Sequence, residues 1–262
     1  MKTKSLLFIV ALTLSSLALA QDKQSARSAA DSATTCTYTF TSGVGKNATQ
    51  FCVTANGNIT QFSRPAGVEY LATGTIGEGY AVCEFPSFVS YYDWAGFGSS
   101  GWGPPTLVSS TASAVKISRI STDGVFQLTQ TITAVKATAK GPGAATVSMA
   151  LKNLTGNGHL VHIIRYADVN ANSTTSNDFD ATLDTSYGLQ PSYSYGLGGT
   201  NNTFTFNWNA IAQNVPGPPD PCGPYNNQIS PPFVGDGSIM QICLLTVPKL
   251  ATKTVAMTYK PI

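Results

Sequence analysis

Along most of the chain, apolar and polar residues alternate with a period of two, and turn-forming residues separate the alternating segments. That pattern predicts half-buried β-strands. Between Val125 and Val135, Phe126, Leu128, Ile132 and Ala134 share one face, and Gln127, Thr129, Thr131 and Thr133 share the other. Val147, Met149 and Leu151 repeat the pattern, Gly156-Asn157-Gly158 predicts a turn, and Leu160 to Tyr166 returns. Phe204, Phe206 and Trp208, then Ile239 to Val247, then Val255, Met257 and Tyr259 predict three further strands. Asn56-Gly57, between Phe51-Cys52-Val53 and Ile59 to Phe62, supplies the positive φ angles of a tight hairpin. Asp123-Gly124 likewise joins Ala114 to Ile120 to the strand that follows. No segment keeps a helical period for three turns. About ten to thirteen strands without interleaved helices predict an all-β fold, an antiparallel β-sandwich. The Pro-rich stretch from Pro216 to Pro232 and the uneven strand lengths argue against a transmembrane barrel. The lack of a fixed repeat argues against a propeller or solenoid.

Two pairs of segments sharpen the architecture. They are Val147-Ser-Met-Ala-Leu-Lys-Asn153 with Val161 to Asp168, and Leu245-Thr-Val-Pro248 with Thr254-Val-Ala-Met-Thr-Tyr259. In these long strands running past an Asn-bearing turn, the chain resembles large sandwich domains of the galactose-mutarotase-like type. The resemblance implies a two-sheet supersandwich and carries no residue roles, because fold alone does not assign chemistry.

The N-terminus changes the picture of where the protein works. Lys2 and Lys4 precede the apolar run Leu6 to Leu14, and Ala18-Leu19-Ala20 follows before Gln21. These are the three parts of an export signal. The apolar run is shorter than the roughly 20 residues of a spanning helix. The expected organisation is a signal peptide over 1–20, a flexible Ser/Ala-rich leader over 21–34 and a single domain over 35–262, secreted or periplasmic after cleavage near Ala20 and expected as a monomer. Removing Lys2 and Lys4 from the 15 basic residues leaves as many as the 13 acidic ones, so the formal charge of +2 belongs to the signal. A neutral chain with 11% charged residues has no basic footprint for nucleic acid or anionic membrane.

Five cysteines, Cys36, Cys52, Cys83, Cys222 and Cys243, stand in a compartment that permits disulfides. Sequence leaves the connectivity open. The expected pairs are Cys222–Cys243, tethering the Pro-rich loop to the next strand, and Cys36–Cys52. Cys83 is then expected to be a buried, inert thiol.

Two segments carry candidate chemistry. Asp168-Val-Asn170-Ala-Asn172 runs on into Asp178 and Asp180, and oxygens at alternate positions suit Ca²⁺ in a structural role. Ser173 and Phe179 depart from the EF-hand pattern where Gly and Glu would stand. The plainer reading is a polar loop of Asx turns. Tyr92, Asp93, Trp94 and Trp102, on a Gly-rich segment, with Glu78 between Gly77 and Gly79, form a candidate sugar-binding face. The plainer reading is a loop pinned by its own aromatics. His159 and His162 fall on opposite faces of one strand, so they make no metal pair. His162 is expected in the core and His159 in solvent. No G-x-S-x-G motif supports triad hydrolysis and no spacing supports zinc. Asn47, Asn58, Asn153, Asn172 and Asn201 open Asn-x-Ser/Thr triplets, read as marks of exposed turns.

The function that follows is a secreted, non-enzymatic binding or structural module with glycan as ligand and no redox or nucleotide cofactor. Two alternatives stand beside it. One is a carbohydrate-active enzyme of glycosidase or mutarotase type, which needs two carboxylates across a cleft. The other is a surface or matrix protein with no small ligand.

Overall fold

The computed structural model describes residues 35–72, 77–139, 141–190, 195–203, 207–214, 217–225 and 231–262. The expected signal peptide and leader, and Phe204 and Phe206, lie outside the described residues. Among the described residues there are eighteen strands, numbered along the chain, and two single-turn 3₁₀ segments, with no α-helix. None of their helical turns is long and apolar enough to cross a membrane.

Three antiparallel sheets make up the fold. A small one joins β1 (Tyr38–Ser42), β2 (Thr49–Val53) and β3 (Ile59–Ser63). The nine-stranded sheet has the order β16 (Phe233–Gly235), β12 (Asn177–Ala181), β13 (Thr185–Gln190), β14 (Tyr195–Asn201), β18 (Thr252–Pro261), β10 (Ala144–Asn153), β9 (Phe126–Val135), β8 (Ala114–Ile120) and β7 (Thr106–Ser110). The six-stranded sheet has the order β15 (Asn207–Gln213), β17 (Ser238–Val247), β11 (His159–Asp168), β4 (Glu78–Phe85), β5 (Val89–Trp94) and β6 (Gly98–Ser100). The two large sheets pack face to face as an antiparallel sandwich, the architecture expected from the alternating pattern.

The main core lies between them. Val147, Met149 and Leu151 of β10 and Val255 and Met257 of β18 meet Val161 and Ile163 of β11, Val82 of β4 and Leu245 of β17. The small sheet caps this core with Phe40, Phe51 and Phe62; Phe51 and Phe62 stack at 5.8 Å. The Asn56-Gly57 turn is as expected, with Gly57 at φ +91°, and Gly124 at φ +73° turns β8 into β9.

One expectation is corrected by the topology. The Gly156-Asn157-Gly158 turn does not close a hairpin, because β10 and β11 belong to different sheets. Strand β11 reads His-Leu-Val-His-Ile-Ile-Arg-Tyr-Ala-Asp, and nearly every position is buried. A strand apolar on both faces belongs in the middle of a sheet covered on both sides. The second cover is found on the outer face, where Trp94, Ile164, Tyr166, Ile211, Met240 and Ile242 form a separate apolar cluster with Tyr92 and Tyr225 against it.

The disulfides differ from expectation in one pair. Cys36–Cys52 is present. Cys222 bonds Cys83 rather than Cys243, which is a free, buried thiol, and burial pushes it up to about 12. The side chain of Cys83 lies on the outer face of β4, so its bond to Cys222 holds residues 217–225 against the six-stranded sheet. Tyr225 follows, and its ring comes within 6.3 Å of the His162 ring.

Candidate functional site

The aromatic and acidic residues singled out from the sequence sit together in the chain but face opposite ways. Alternation along β5 sends Tyr92 and Trp94 to the outer cluster and Asp93 into the sandwich. Trp94 is 2% exposed, stacked on Tyr92 at 5.9 Å and edge-on to Tyr166 at 5.8 Å. Trp102 is 5% exposed and belongs to the main core, 5.5 Å from Tyr91. Only Tyr92 is half-buried, so these rings make no exposed sugar-stacking row. Gly79 is small for a reason other than ligand access: a Cβ there would lie 2.6 Å from the Trp94 ring and 2.2 Å from the Asp93 carbonyl.

Glu78 and Asp93 are sealed in a polar network between the sheets. Glu78 is ion-paired with Arg165, whose Nη2 donates to Oε2 at 2.8 Å, and the Ile59 amide donates to the same oxygen at 2.7 Å. Arg165 also donates to the Gln130 side chain at 2.5 Å and to the Gly57 carbonyl at 2.9 Å. Asp93 is ion-paired with Arg119 and accepts from the Asn56 and Asn58 amides at 2.8 and 2.7 Å. Burial pushes both carboxyls upward; Arg165 beside Glu78 and Arg119 beside Asp93 pull against it. Burial works against both guanidinium charges, and the carboxylate paired with each more than offsets it. Glu78, Asp93, Arg119 and Arg165 are all buried.

The expected calcium loop is not assembled as its spacing suggested. Asp178 and Asp180 lie on the solvent side of β12, opposite buried Asn177 and Phe179. Asp180 accepts from the Tyr187 hydroxyl at 3.1 Å and from the Ala181 amide at 2.7 Å. Asn172 is exposed at φ +56° in a 3₁₀ turn. Asp168, by contrast, is 3% exposed at the end of β11, and burial first and Asp236 second push its carboxyl up to about 7. Among the described residues no three His, Cys, Asp or Glu side chains come together.

Two histidine expectations part company. His162 is buried on the outer face, edge-on to Phe85 at 4.8 Å. His159 is not in free solvent: its Nδ1 lies 3.2 Å from Glu84 and its Nε2 2.8 Å from the Thr155 hydroxyl. The Asn-x-Ser/Thr triplets also divide. Asn47 and Asn172 are exposed, whereas Asn58, Asn153 and Asn201 are buried with their amide groups donating to interior oxygens.

What sequence reasoning missed is a pocket on the outer face of the six-stranded sheet. Ile211, Ala212, Gln213, Asn214, Tyr225, Pro231, Phe233 and Met240 line a hollow of about 390 Å³. Ile211, Met240 and Tyr225 belong to the cluster containing Trp94 and Tyr166, so the aromatic segment supports the pocket from within the fold. No sequence signal marked it, because its walls come from three segments, 211–214, Tyr225 and 231–240.

No protein-family model and no curated protein matches the chain. Solved structures do. A bacterial glucoamylase complexed with acarbose superposes with a TM-score of 0.55 at 10% identity over 87% of this chain, which spans only 32% of the length of that one. The Slr1438 protein from Synechocystis sp. PCC 6803 gives a TM-score of 0.50 at 7% identity, covering 86% of this chain and 95% of that one. A galactose mutarotase-like protein from Lactobacillus casei ATCC 334 gives 0.47 at 10% identity, covering 86% and 100%. At these identities the likeness to the glucoamylase and Slr1438 structures is one of fold alone.

Proposed function

We propose that the protein is a secreted glycan-binding module whose ligand occupies the outer-face pocket. The observation that carries this reading is the chemistry of the walls. Tyr225 and Phe233 offer aromatic rings to the C–H face of a sugar, while the amides of Gln213 and Asn214 offer donors and acceptors to its hydroxyls. The volume of about 390 Å³ falls in the range of small-ligand sites. A second hollow of about 360 Å³, lined by Gly103, Pro104, Thr106, Val108, Ser118, Ile120 and Gln127, contains no aromatic ring and suits a sugar less well. The disulfides fit an oxidising compartment, in keeping with the export signal read from the sequence. The glucoamylase likeness adds that this architecture occurs in a carbohydrate-active enzyme, which is analogy at the level of fold.

The enzymatic alternative loses two of its acids, since Glu78 and Asp93 face arginines in the core. A glycan-array screen of the mature chain, with Tyr225→Ala and Gln213→Ala beside it, tests the proposal. Retention of one glycan class by the wild type, weakened about tenfold or more by either substitution, is the expected result. Silence on the array, or retention unchanged in both variants, would remove the pocket from consideration. Release of reducing sugar from the retained glycan would move the reading to the enzyme.

A further inference from the structure

We propose that the place where the chain twice crosses between the large sheets holds a hard cation of the Ca²⁺ class, bound by oxygens of Asp168, Asp236, Ser238 and Asn177. The inference is independent of the glycan pocket. Strand β11 ends at Asp168, and residues 169–176 carry the chain to β12 in the nine-stranded sheet. Strand β16 ends at Gly235, and residues 236–237 carry it back to β17 in the six-stranded sheet. The crossings run side by side. The Val169 amide donates to the Gly237 carbonyl at 3.2 Å, and Asn177 Nδ2 donates to the Val169 carbonyl at 3.1 Å. Asp168 stands directly opposite Ser238, and Asn177 opposite Gly235, next to Asp236.

At this junction Asp168 Oδ1, Asp236 Oδ1 and Asn177 Oδ1 are buried without a hydrogen-bond partner, as is Asn170 Oδ1 close by, while the Ser238 hydroxyl lies within reach of the Tyr166 hydroxyl. Asn177 and Ser238 are wholly inaccessible, so bulk water does not reach their oxygens. Buried polar atoms in folded proteins are nearly always satisfied, and a local group of orphans calls for a missing partner. The orphaned Asp and Asn oxygens can only accept, so the partner they lack is a hydrogen-bond donor or a cation, and two carboxylates side by side in the interior favour the cation. Two carboxylates with neutral oxygens match Ca²⁺, which takes six to eight oxygen ligands in flexible geometry, carbonyls and water included. The alternation of Asp and Asn that suggested calcium in the sequence thus contributes Asp168, while Asn177 and Asp236 take the places expected of Asp178 and Asp180.

The test is direct. The full mature chain, stripped with chelator, is titrated with CaCl₂ alone by calorimetry and equilibrium dialysis, and its Tm is followed with and without the ion. One ion per chain, with a Kd of about 10⁻³ M or tighter and a Tm that rises on binding, is expected. Asp236→Asn, at a half-buried position able to accept the change, weakens binding about tenfold or more, and Ser238→Ala weakens it too. Asp180→Asn leaves it unchanged. Absence of binding by natively folded wild type overturns the proposal, leaving water or a proton to satisfy the orphans. So does binding that survives Asp236→Asn, or that is lost with Asp180→Asn.

Discussion

Trp94 lies between Tyr92 and Tyr166 with almost no surface in water. Removing a buried indole leaves a cavity, and such truncations cost about 3–5 kcal/mol. Trp94→Ala should therefore lower the unfolding free energy extrapolated from urea denaturation by that amount, whereas truncating an exposed binding residue would leave it nearly unchanged. The same residue marks the limit of local reading. The string Tyr91-Tyr92-Asp93-Trp94 has the composition of a ligand face, but strand alternation gives consecutive side chains opposite directions, and both directions here are interior. His159 and the buried asparagines make the same point from polar residues. Thr155 and Glu84 hold His159, and interior carbonyls or carboxylates hold Asn58, Asn153 and Asn201. None of these partners was legible from neighbours in sequence.

At the scale of elements, the Cys83–Cys222 bond does what the proline-rich loop cannot do for itself. Asn209 Nδ2 donates to the Tyr225 carbonyl at 2.9 Å and Gln213 Nε2 to the Gly217 carbonyl at 3.4 Å, and the covalent bond beside them spans 139 residues of sequence. Opening it frees both the loop and Tyr225 from the outer face. The double variant Cys83→Ser/Cys222→Ser should lose about 2–5 kcal/mol of stability. If the outer-face pocket is the ligand site, it should lose glycan retention as well. Differential scanning calorimetry and the array measure the two effects separately. The hairpin at Asn56-Gly57 and the turn at Asp123-Gly124 were legible because their geometry is set by adjacent residues. The Cys83 pairing was not, because it depends on which face of β4 the loop crosses.

The whole molecule is organised around two buried ion pairs that tie its layers together. Arg165 of the six-stranded sheet reaches Glu78 beside it, Gln130 of the nine-stranded sheet and Gly57 of the hairpin that caps the core. Arg165→Met would strand the Glu78 carboxylate in the interior, and breaking one side of a buried pair costs about 3–5 kcal/mol. Glu78→Gln/Arg165→Met should cost less than the sum of the single changes, as read from chemical unfolding. Additive losses would mean that the pair is not coupled. By itself the sequence determined the all-β class, the two-layer sandwich and most strand positions, because period-two alternation and turn chemistry act over a few residues. Tertiary structure alone decided which sheet each strand joined, which acids met arginines, where Cys222 bonded and where a pocket opened. Those outcomes depend on contacts between residues far apart in the chain, and pattern along the chain carries no measure of such distances.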